Sequence, residues 1–86
     1  MKIQTHVKAA GMLVSTTRLP FDHGILSRGS KWYETMVFSA NEDGKVTNWS
    51  AHYCEQYTTE DEAQYGHEQV VSMVQTGEIT IRDTND

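Results

Sequence analysis

The chain has one cysteine, Cys54, and one proline, Pro20. A lone cysteine closes no internal disulfide, which agrees with a reducing compartment. Pro20 lacks the donor that a central strand needs, so it ends a strand rather than sitting inside one. No apolar run approaches the ~20 residues of a spanning helix, and no membrane association is expected. The opening MKIQTHVKAAGMLVSTT is too interrupted by polar residues for the core of a signal peptide, so a cytoplasmic location is expected. Basic residues are few: seven Lys and Arg stand against twelve Asp and Glu, for a net charge of −5. Binding to duplex nucleic acid is not expected, because that charge opposes the phosphate backbone. Neither a Walker nor a dinucleotide glycine pattern occurs, which excludes a standard nucleotide enzyme.

Present instead are two Trp, four Tyr and two Phe within a hydrophobic content of 37%. That suffices for one core and is too much for a disordered chain. At 86 residues the chain forms one small domain, 1–86, without an internal repeat. The charge is unevenly spread. Residues 1–33 carry five basic groups against Asp22 alone, a net +4, while residues 34–86 carry Lys45 and Arg82 against eleven acids, a net −9. Such asymmetry reads either as a charged binding face or as the solvated surface of a helix and its loops.

The clearest local signal is TTEDEAQYGHEQVVSMVQTG, residues 58–77. Ala63, His67, Val70, Val71 and Val74 recur at helical spacing, the stripe of a helix packed on something flat. Thr59 followed by Glu62 reads as a capping box, Glu60 and Asp61 suit the dipole, and Gly77 is a natural stop. The pattern predicts a helix over 59–76.

Residues 2–8 alternate as a short edge strand guarded by lysines, and the β-branched run 12–19 reads as a second strand. Residues 32–39, WYETMVFS, are apolar on both faces and read as a central strand. The Asp43-Gly44 step predicts a hairpin into a returning strand within 46–57. Its packed face is expected to carry Trp49, Ala51, Tyr53 and Tyr57, interrupted by Glu55. Its polar face carries Asn48, Ser50, His52, Cys54 and Gln56. Residues 78–82 alternate as a short last strand. The expected fold is α+β: an antiparallel sheet of about four to five strands with one helix packed across one face.

STTRLPFDHG at 15–24, WYETMVF at 32–38 and EQYTTEDEAQYGHEQVV at 55–71 together resemble a family of small uncharacterised bacteriophage and prophage proteins. That family shows a strand ending in a D-H-G-type loop, then an F/Y-E-T-M-V-F strand, then R-Y-x-T-x-E-E-A-x-x-G-H opening a helix. The resemblance spans roughly residues 14 to 74, with Gln56 where the pattern often has Arg. It implies a phage-encoded protein in the host cytoplasm and carries no activity.

Three groups of residues bear chemistry. Asp22, His23, Glu34 and His67 are metal-ligating types, but no H-x-x-x-H pair occurs and His67 lies on the buried stripe. They read better as a loop-organising histidine and a core histidine, so no metal and no cofactor is expected. His52 and Cys54 point the same way along a strand, yet residues two apart are too distant for an easy bond, and a simple half-exposed cysteine is the better reading. The loop 18–33 gathers Arg18, His23, Arg28, Lys31 and Trp32 with glycines that allow close backbone approach. This is the expected ligand-binding site, suited to a nucleotide-like anion.

The expected function is that of a small accessory protein acting by binding, inhibiting or sequestering a host component, with no catalytic residues assigned. The alternatives are a small-ligand module using the 18–33 loop and a minor virion protein. A host protein or a small anionic ligand is the expected partner, and homo-oligomers are compatible with the sequence.

Overall fold

The computed structural model describes residues 1–22 and 29–81. Four strands run in sequence order as an antiparallel meander: β1 (Lys2–Val7), β2 (Met12–Arg18), β3 (Tyr33–Ala40) and β4 (Val46–Tyr57). One helix follows, α1 (Glu60–Gln75), and packs across one face. The fold is α+β.

Each connection has a local cause. Between β1 and β2 a 3₁₀ turn, Lys8–Ala10, ends at Gly11 with φ 67°, a left-handed conformation that glycine adopts freely. Between β3 and β4 the Asn41 side chain accepts from the amides of Asp43 and Lys45, both at 3.0 Å. Gly44 supplies the positive φ that the hairpin requires. Thr59 caps the helix as expected, with Glu62 turned back onto it through the hydroxyl. Thr59 Oγ1 accepts from the Glu62 amide at 3.2 Å and its hydroxyl donates to Glu62 Oε1 at 3.1 Å.

The core lies between sheet and helix, where Val7, Met12, Val14 and Val37 meet Val70, Val71, Val74 and Ile79. Strand alternation and pairing place Val14 opposite Val37 and Thr16 opposite Thr35 on this face. Tyr53, Glu55 and Tyr57 continue it on β4, through pairing with Val37, Thr35 and Tyr33.

Two expectations are corrected. Residues 78–81 make no strand. The amides of Glu78 and Ile79 both donate to the Met73 carbonyl, so the chain folds back at the helix end and tucks Ile79 into the core. Residue 82 lies outside the described residues. Trp49, expected on the packed face, is 74% exposed. The reason is a break in register. Tyr53 pairs with Val37 but Asn48 pairs with Ser39, so five steps along β4 match two along β3. The odd excess reverses the alternation. Trp49 therefore falls on the face away from the helix, where its ring meets Phe38 edge-on at 5.2 Å.

Candidate functional site

The basic loop is only partly described. His23 and Arg28 lie outside the described residues. Arg18 and Trp32 do come together: the guanidinium carbon stands 5.5 Å from the Trp32 ring centre and 6.0 Å from that of Tyr33. Backbone bonds hold this pair in place, since the Leu19 amide donates to the Trp32 carbonyl and the Trp32 amide to the Tyr57 carbonyl. The Lys31 backbone amide donates to Asp22 Oδ1 at 2.6 Å. Arg18 thus spends one face of its cation on aromatic rings.

The metal and nucleophile readings meet direct geometry. His67 is 1% exposed. Its Nε2 lies 2.8 Å from the Thr5 hydroxyl and its Nδ1 2.7 Å from that of Thr16. Both ring nitrogens are engaged by hydroxyls, and burial pushes its pKa down. Glu34 projects from the opposite face of the sheet, by alternation from Thr35, and accepts from Gln56 Nε2 at 2.9 Å and from Cys54 Sγ at 3.4 Å. Glu34 and His67 therefore do not converge. Among the described residues no group of three His, Cys, Asp or Glu is placed to hold a metal ion. His52 points to Ser39 Oγ, 2.7 Å away. Burial, then the Glu34 charge, push the Cys54 thiol up to about 11, the reverse of an activated nucleophile.

A cleft lined by aromatic rings lies elsewhere, between α1 and β4. Tyr53, Glu55 and Tyr57 line its sheet side, and Glu62, Tyr65, Gly66, Gln69 and Met73 its helix side, around a volume of about 360 Å³. That is at the lower end of small-molecule sites, roughly 300–1,000 Å³. Glu55 is its chemical focus. The Tyr53 and Tyr57 hydroxyls both donate to Glu55 Oε2, each at 3.3 Å. Burial, then the neighbouring Glu55 charge, raise the Tyr53 phenol. Burial raises Tyr57 to about 12, against a Thr35 hydrogen bond that works the other way. Both phenols thus stay protonated donors. Tyr65 stands 69% exposed at the rim. Among the described residues no basic side chain lines this cleft.

Gly66 explains how the cleft closes at its base. A Cβ there would fall 2.2 Å from Tyr57 Cε1, so the Tyr57 ring lies directly on the helix backbone. In the Ala63-x-x-Gly66-His67 pattern, Ala63 packs closely, Gly66 admits the ring and His67 bonds the sheet. The signal for this site was present in the sequence. Glu55 on an otherwise apolar strand face, with a tyrosine two residues to each side, marks a carboxylate held by phenols.

The chain matches no family model, no curated protein and no solved structure in comparisons with each.

Proposed function

We propose that this protein acts by binding, as a small accessory protein of phage type whose α1–β4 cleft engages a basic feature of a host component. One observation carries the reading: two tyrosine hydroxyls converge on a single oxygen of Glu55, an exposed residue on the sheet side of a cleft walled by aromatic rings. A carboxylate beside π-faces attracts cations, both by direct charge and by the ring quadrupoles. The net −9 charge of residues 34–86 adds to that attraction. The test is amide mapping by NMR during titration with a short lysine-rich peptide. Shifts at residues 53–57 and 62–73 support the reading, and shifts confined to residues 18–33 overturn it.

The second reading has its own observation. The Arg18 cation stacked on Trp32 leaves its outer face to an anion. Titration with mono-, di- and cyclic nucleotides in the same format favours it if shifts gather at Arg18, Lys31 and Trp32.

A further inference from the structure

The α1–β4 cleft also discriminates among cations, an inference that rests on the binding reading above. Glu55 Oε2 already accepts from Tyr53 and Tyr57, and among the described residues nothing bonds to Oε1. A guanidinium gains its advantage by donating to both carboxylate oxygens at once through its planar fork. Here one of those oxygens is occupied by two hydroxyls, so only a single-point contact is left. A compact ammonium on an alkyl stem needs no more than that. Its stem would pass the Met73 side chain and the Tyr65 ring, apolar surfaces that suit methylenes and the weakly acidic hydrogens beside a cationic nitrogen.

We propose that the cleft is a site for an alkylammonium group, with Glu55 Oε1 as its acceptor and the rings of Tyr53, Tyr57 and Tyr65 as its walls. The same chemistry is carried by a free polyamine and by a lysine side chain of a partner.

Tyrosine ring resonances report binding directly. The probes are n-butylammonium, n-butylguanidinium, 1-butanol, 1,5-diaminopentane and N-acetyl-lysine amide, titrated at constant low ionic strength. Saturable shifts of Tyr53, Tyr57 and Tyr65 are expected with n-butylammonium, at least threefold weaker with the guanidinium and absent with butanol. Glu55→Gln is expected to weaken the ammonium at least fivefold. Glu68→Gln, which removes the same charge from an exposed helix position outside the cleft lining, is expected to leave it unchanged. Tighter binding of the diamine than of the lysine derivative assigns the site to a free polyamine, and the converse assigns it to a side chain. Guanidinium binding as tight as ammonium overturns the proposal. So do equal losses in the two glutamate variants, or no saturable shift. A lysine-rich peptide that still maps to the cleft in that event leaves the binding function standing and removes only the selectivity.

Discussion

The Nδ1 atom of His67 and the Thr16 hydroxyl lie 2.7 Å apart at the centre of the helix–sheet interface, and Nε2 lies 2.8 Å from the Thr5 hydroxyl, so in the neutral ring one nitrogen donates and the other accepts. Glu55, as a carboxylate, only accepts, so the Tyr57 proton goes to it. A Thr35 hydroxyl that donates toward the Tyr57 oxygen, the sense in which it lowers that phenol's pKa, would in turn accept from Thr16, 2.5 Å away. That leaves His67 Nδ1–H as donor to Thr16, with Nε2 accepting from Thr5. Such a relay would tie a cleft carboxylate to the tautomer of a buried histidine through three hydroxyl groups, those of Tyr57, Thr35 and Thr16. Nitrogen-15 NMR at neutral pH is expected to show the Nδ1–H tautomer for His67. An Nε2–H tautomer would mean that the chain of donors runs the other way.

The same histidine makes stability depend on pH. Burial lowers its folded-state pKa below the ordinary value of 6.5, so the unfolded chain takes up a proton first as pH falls. The neutral form is common to both states above about pH 6.5, and there the contribution is complete. Stability declines below that pH, with a slope of up to about 1.4 kcal/mol per unit, until the folded-state pKa is reached. Urea denaturation between pH 7.5 and 5 is expected to show this decline in the wild type and a flatter one in His67→Gln. Equal slopes in the two proteins would assign the effect to other groups.

Gly66→Ala sets two effects in opposition. Alanine favours helix by about 1 kcal/mol, but its methyl would meet the Tyr57 ring well inside contact distance. Tyr57 is buried and its strand is paired, so the ring yields poorly and overpacking wins. The expected net loss is about 1–3 kcal/mol in urea denaturation. Combining it with Tyr57→Val should recover part of that loss, the non-additivity expected of residues in contact. A Gly66→Ala variant as stable as wild type would place the ring elsewhere.

Val71→Asp tests the core. Val71 is buried against the sheet-side cluster, and an unpaired carboxylate there is expected to cost several kcal/mol. A cooperative thermal transition at the wild-type temperature would contradict this packing.

Much of this fold was legible in the sequence, and the reasons are local. The helix was readable because a stripe of four apolar residues and His67, a capping signal and a terminal glycine all agree between Thr59 and Gly77. The four strands were readable from alternation in β1 and β4, β-branched residues in β2 and apolar residues on both faces of β3. Trp49 was misplaced because alternation assumes unbroken register, and the break opposite Val37 and Ser39 depends on how two strands pair. Ile79 was misread as a strand residue because a short alternating run looks the same when it is pinned by two amides to Met73. The cleft was only half visible. Glu55 was seen as an interruption of an apolar face, but its role needs Tyr65 and Met73 brought over it by the helix, a long-range relationship that strand pattern does not encode.

Cys54 offers an independent check on the electrostatics of the far face. A thiol pushed up to about 11 by burial and the Glu34 charge holds roughly a hundredth of the thiolate that a group of ordinary pKa 9 holds at neutral pH. Iodoacetamide alkylation is expected to be correspondingly slow and to accelerate with pH toward that value. Glu34→Gln should speed it. Reaction as fast as that of a free thiol at pH 7.5 would contradict the Glu34 contact on this exposed cysteine.

On the proposed reading the α1–β4 cleft, rather than the basic loop, is where this protein binds. The most direct measurement is the dissociation constant of a lysine-rich peptide for the wild type, Glu55→Gln and Arg18→Ala at one low ionic strength. Losing the acceptor that both phenols address is expected to weaken binding at least tenfold in Glu55→Gln, while Arg18→Ala, on its Trp32 stack, stays within twofold. A tenfold loss in Arg18→Ala with Glu55→Gln unchanged would contradict the account and move the site to the loop.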